Sequence, residues 1–181
     1  MLWEDVKHRE EKPPVRHPNR ALPESGTARA GTIALLILSA VMMVVVGLGG
    51  WGLLAGAKLW IFFFAIAYVG FAYFVGRWNR GVLPVIAALA VILAIFALVA
   101  GPDWFARDKV GYNDPTLPSA LLGLVTLALI PVQMLLVVVA MWGFNQKWNV
   151  EEEILPEDPD WPADRPVHVE PGPPPAAAAT G

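Results

Sequence analysis

GTIALLILSAVMMVVVGLGGWGLLAGAKLWIFFFAIAYVGFAYFVG, residues 31–76, carries a single charge, Lys58. A charge-free run from Gly31 to Ala57 precedes that lysine, and a second apolar run from Leu59 to Gly76 follows it. An apolar run of ~20 residues matches the ~30 Å hydrocarbon core of a bilayer at ~1.5 Å rise per residue. Two such runs, one glycine-rich turn apart, predict a transmembrane helical hairpin with spans of about 32–54 and 59–76. Gly47, Gly49, Gly50, Gly52 and Gly56 crowd the turn. Gly52 and Gly56 form a GxxxG, read here as part of a tight connection rather than a dimerisation motif. Trp51 and Trp60 flank the turn as interface anchors, a level where amphipathic rings are enriched.

Downstream the pattern repeats. Arg77, Trp78, Asn79 and Arg80 form a compact basic loop. A third span of about 82–100 follows, with Pro84 in its first turn, where the missing N–H matters least. Ala87, Ala90, Ala94 and Ala97 give it one small-residue stripe, a packing face in membrane helices. The longest connection, residues 101–118, carries both charge signs with Trp104, Phe105 and Tyr112. A fourth span of about 119–144 contains Pro131 near its middle, and Trp142, Lys147 and Trp148 mark its exit. Trp78, Trp104, Trp142 and Trp148 join Trp51 and Trp60 as expected interface anchors. The predicted fold is therefore an all-α, four-helix transmembrane bundle made of two hairpins, residues 31–144, with the lipid bilayer as its solvent.

Both flanks are polar. Residues 1–30 hold Pro13, Pro14, Pro18 and Pro23 and read as a flexible tail. A cleavable signal peptide ending at Ala55-Gly56-Ala57 fits poorly, because the tail exceeds a usual n-region and the apolar run exceeds the ~7–15 residues of an h-region. An uncleaved anchor is expected. Residues 145–181 form the C-terminal tail. From Glu151 onward it carries eight acids, eight prolines and one arginine. Such a segment cannot bury enough apolar surface to offset its ordering entropy, so disorder is expected.

Lysine and arginine set the orientation. With four spans, both tails and the Arg77–Arg80 loop share one side, which holds ten basic residues against three on the other. Those nearest the membrane, Arg29, Arg77, Arg80 and Lys147, agree. Orientation follows this excess, and acids count little. The expectation is a cell (plasma) membrane protein with both termini cytoplasmic.

The chemistry is defined mostly by what is lacking. Cysteine is absent, which removes thiolate nucleophiles and Cys-ligated metals. The histidines, His8, His17 and His168, all lie in the tails, so bis-histidine haem ligation within the spans is excluded on residue type. No Asp, Glu, Lys or Arg falls inside a predicted span, which argues against a proton-coupled pump built from this chain alone. Asp103, Asp108, Asn113 and Asp114 share one loop but fit no EF-hand spacing. HExxH, Walker A, GxGxxG and GxSxG patterns are missing. No enzyme activity, cofactor or metal is expected. Nucleic acid is disfavoured as a partner, because acids interrupt the basic residues.

Polar residues inside the spans are the remaining candidates. Ser119, Thr126 and Gln133 recur at seven, so they share a stripe on a helix containing Pro131. Gln133 is the one carboxamide within a span, and an unsatisfied amide in hydrocarbon costs several kcal/mol. Ser39 lies ~12 Å along its helix from Gly31, and Gln133 ~14–17 Å from Trp142–Phe144, at ~1.5 Å per residue. The two match in depth, and Tyr68 is a second partner candidate. Either these residues glue helices together, or they line a pore or a partner-subunit site. The sequence points to a non-catalytic accessory or assembly subunit that meets other membrane protein subunits. The alternative is a small channel or transporter component acting as an oligomer. A four-span bundle is common to many unrelated proteins and names no family.

Overall fold

The computed structural model describes residues 14–54, 56–107, 115–155 and 157–163. Four helices in it are long and apolar enough to cross a membrane: α1 (Pro23–Gly49), α2 (Ala57–Gly76), α3 (Leu83–Ala106) and α4 (Ser119–Asn145). The protein is an all-α, multi-pass membrane protein. Its outward faces are apolar, as a lipid solvent requires: Leu59, Ile66, Val99, Leu124 and Val138 are all more than half exposed.

The chain divides into two units. The unit spanning His17–Val150 contains the helices. In it, α1 packs along both α2 and α4, and α3 packs along α4, while α2 and α3 scarcely touch. The hairpins α1–α2 and α3–α4 thus join through α1 and α4. That central pair runs antiparallel: Gly49 at the end of α1 lies beside Leu117 and Leu122, and Gly31 near its start lies beside Val139. The core between helices holds Leu36, Ala40, Met43, Phe64, Tyr68, Val75, Ile86, Ala90, Leu129 and Leu136. On α3, Ala87, Ala90 and Ala97 are buried and Ala94 is half-buried, so the alanine stripe does face inward. Glycine sets the α3–α4 approach. A Cβ at Gly101 would overlap the side chain of Leu127, and one at Gly123 would come within 2.7 Å of the Phe105 ring.

Several boundaries move. Helix α1 starts at Pro23, not near Thr32, because Leu22 is extended and proline pre-sets the first helical turn; it ends at Gly49, not Leu54. The glycines that follow form the turn, and a Cβ at Gly52 or Gly56 would meet open space among the described residues. Helix α3 continues through Gly101-Pro102 to Ala106. Pro102 sacrifices one backbone bond, but Trp104 is buried at the end of this helix and holds its last turn against the bundle. Likewise Pro131 leaves α4 unbroken.

The other unit, residues 1–16 and 151–181, is described for residues 14–16, 151–155 and 157–163. There β1 (Val15–Arg16) pairs antiparallel with β2 (Glu152–Glu153). Ile154 N–H donates to the Pro14 carbonyl at 2.8 Å, and Arg16 pairs with Glu152 at 3.1 Å and Asp160 at 3.6 Å. The hydrogen bond and the carboxylate charge of Glu152 raise the pKa of this exposed guanidinium. The parts of both tails that flank the helical unit in sequence therefore carry short elements. The outer parts, read as disordered from composition, lie outside the described residues.

Candidate functional site

Hydroxyls within the spans first satisfy their own helices. Thr32 donates to Ala28 O at 2.8 Å, Ser39 to Leu35 O at 2.7 Å, and Thr126 to Leu122 O at 2.7 Å. Each bond returns to the preceding turn, the usual solution for a hydroxyl without water. A carboxamide has no such local solution. Gln133 needs both an acceptor and a donor from other helices.

It finds them on α1 and α2. Gln133 Nε2 donates to Ser39 Oγ at 2.8 Å, and Tyr68 Oη donates to Gln133 Oε1 at 2.8 Å. All three residues are fully buried. The chain of bonds runs Tyr68 to Gln133 to Ser39 to the Leu35 carbonyl, so one polar line crosses α2, α4 and α1. Antiparallel packing of α1 on α4 brings Ser39 and Gln133 to one depth. Ser119 and Thr126 are also buried on the Gln133 face of α4, but neither joins this line.

A cleft of about 780 Å³ opens where α2 and α3 diverge. Its floor includes Met43, Val46, Thr126 and Leu129, and its walls include Trp60, Phe63, Phe64, Ile92, Phe96 and Val99. Phe64 and Phe96 meet edge-to-face across it, with ring centroids 6.2 Å apart. Gln133 does not line it. The lining is hydrocarbon and aromatic, suited to apolar ligands or apolar protein surface rather than to ions.

The opposite ends of α2 and α4 are tied by arginines. Arg29 Nη2 donates to the Gly76 carbonyl, and Arg80 Nε to the Phe144 carbonyl at 2.7 Å. Arg80 also reaches Asn149 Oδ1 at 2.9 Å, and Arg20 Nε reaches the Trp148 carbonyl at 3.0 Å. Cations on helix C-terminal carbonyls complement the helix dipole. Of the residues expected to set topology, Arg29, Arg77, Arg80 and Lys147 all sit at this one end.

Two expected interface anchors are core residues instead. Trp104 is 2 % exposed and Trp148 is fully buried, whereas Trp51, Trp60 and Trp142 are exposed and Trp78 is half-buried. Trp104 lies over Gly50, where a Cβ would collide with its ring. Lys147 adopts φ 51°, which turns the chain back so that the Trp148 ring rests on Gly143 and against Trp78. The burial of Trp148 has no marker in the sequence, since lysine rarely takes that conformation. Of the loop oxygen ligands, Asp103 lies in α3, and Asp108, Asn113 and Asp114 lie outside the described residues. No family, curated protein or solved structure matches this chain.

Proposed function

We propose that this chain is a non-catalytic accessory or assembly subunit of a larger membrane complex, seated in the cell membrane with both termini cytoplasmic. One observation carries the reading. The polar groups at the centre of the spans close on one another, while a wide apolar cleft stays open between α2 and α3. Closed polar groups rigidify a bundle and leave nothing to move a proton or an ion. An open aromatic cleft in hydrocarbon offers close-packing surface to another span. Orientation is supported by the ten-to-three distribution of basic residues.

A photo-crosslinking amino acid at Phe96, a residue 52 % exposed in the cleft wall, tests the reading in native membranes. Capture of one distinct polypeptide at high yield is expected. Capture of a second copy of this chain favours an oligomeric channel or transporter component. Capture of lipid alone contradicts the subunit reading.

A further inference from the structure

Arg20 and Arg29 converge on a single ring. The Arg29 guanidinium lies 4.6 Å from the Trp78 centroid, and that of Arg20 lies 6.0 Å from it. Trp78 is presented there by a φ of 61° immediately after α2. Its N–H bonds back to Val75 O at 3.0 Å and that of Asn79 to Phe74 O at 3.1 Å, a helix-ending loop that normally uses glycine.

The donors at this point are only partly used. Arg20 spends Nε on the Trp148 carbonyl, and its two Nη nitrogens have no partner among the described residues. Arg29 spends Nη2 on Gly76, and its Nε is buried without a partner. Ser25, one turn before Arg29 on the same face of α1, is fully buried and its hydroxyl is also unpartnered. Charge is equally unbalanced. Within the unit spanning His17–Val150, this end carries Arg20, Arg29, Arg77, Arg80 and Lys147 against the exposed Glu24, and the described acids from Glu151 onward belong to the other unit. Among the described residues, ion pairs occur only at Arg16, in the other unit.

Guanidiniums without a carboxylate partner leave positive charge uncompensated, and an anion bound beside them offsets it. The two free Nη nitrogens of Arg20 form a planar fork that fits phosphate oxygens two at a time, and Arg29 adds its charge beside it. Depth identifies the source of the phosphate. Arg29 lies two residues before the charge-free run that begins at Gly31, and Trp78 lies two after Gly76, so both sit at headgroup level. Basic pockets between spans at that level bind anionic headgroups. We propose that Arg20 and Arg29, stacked on Trp78, hold the phosphate of an anionic phospholipid. The proposal rests on the membrane-spanning architecture and is independent of the subunit reading.

The test uses the full chain reconstituted in vesicles of equal phosphatidylglycerol and phosphatidylcholine, followed by native mass spectrometry of retained lipid. Two guanidiniums near a membrane surface predict a roughly thirty-fold preference for phosphatidylglycerol, equivalent to about 2 kcal/mol. The Arg20→Gln/Arg29→Gln protein should fall to within about threefold of parity, by the same reckoning. Lys58→Gln/Arg107→Gln, at the other end, should keep the full preference. Should the double glutamine variant not fold, Arg20→Lys keeps the charge but loses the fork, and should bind about fivefold more weakly than wild type. Equal retention of both lipids by the wild type overturns the proposal. So does full preference in a folded Arg20→Gln/Arg29→Gln protein, or release of a bound polypeptide by that variant.

Discussion

Replacing Gln133 with leucine should unlock the junction of three helices. The change removes the bond to Ser39 at 2.8 Å and the bond from Tyr68 at 2.8 Å. Ser39 keeps its donor bond to Leu35 O, so its loss is small. Tyr68 is fully buried and is left with a hydroxyl proton that has no acceptor. Interhelical hydrogen bonds in membranes average ~0.6 kcal/mol, so the two together contribute about 1.2 kcal/mol. A stranded buried donor adds ~1–3 kcal/mol, which places the total at about 2–4 kcal/mol. Tyr68→Phe in the Gln133→Leu background removes the stranded group and should recover most of the added penalty. The assay is a double-mutant cycle on reversible unfolding in mixed micelles, with coupling between positions 68 and 133 expected at about 1.6–3.6 kcal/mol, the shared bond plus the stranded donor. Additive single effects, within ~0.3 kcal/mol, would refute the network, since uncoupled sites add.

Gly101→Ala should destabilise the α3–α4 hairpin by about 1–3 kcal/mol, because the new methyl overlaps Leu127; thermal unfolding in detergent reads this out. Lys147→Gly should stabilise the protein by about 0.5–1 kcal/mol in the same assay, because φ 51° strains any side chain. Single cysteines at Asn113 and Thr180 of this cysteine-free chain should label differently in sealed cells. An impermeant thiol reagent is expected at position 113 only, and labelling at 180 contradicts the orientation.

Hydropathy made the spans legible, because run length against bilayer thickness leaves little freedom. The partners of Gln133 were legible too, since antiparallel spans convert sequence position into depth and Ser39 falls at the right one. The helix ends were not. Pro23 and Pro102 carry no sign of whether a helix starts there or passes through. The two-stranded pairing of Val15–Arg16 with Glu152–Glu153 joins residues far apart in a polar sequence with no strand pattern. The cleft depends on α2 and α3 diverging, a matter of helix placement that composition does not encode. Trp78 and Lys147 hide behind a backbone conformation that neither residue type announces.

The proposed subunit role requires partners held to this chain within the membrane. Native mass spectrometry of the tagged protein, extracted from its own membrane in a mild detergent, addresses it directly. A second polypeptide at fixed stoichiometry is expected, lost when Phe96 and Ile92 in the cleft wall are both changed to alanine. A particle containing only copies of this chain, unaffected by those changes, would contradict it.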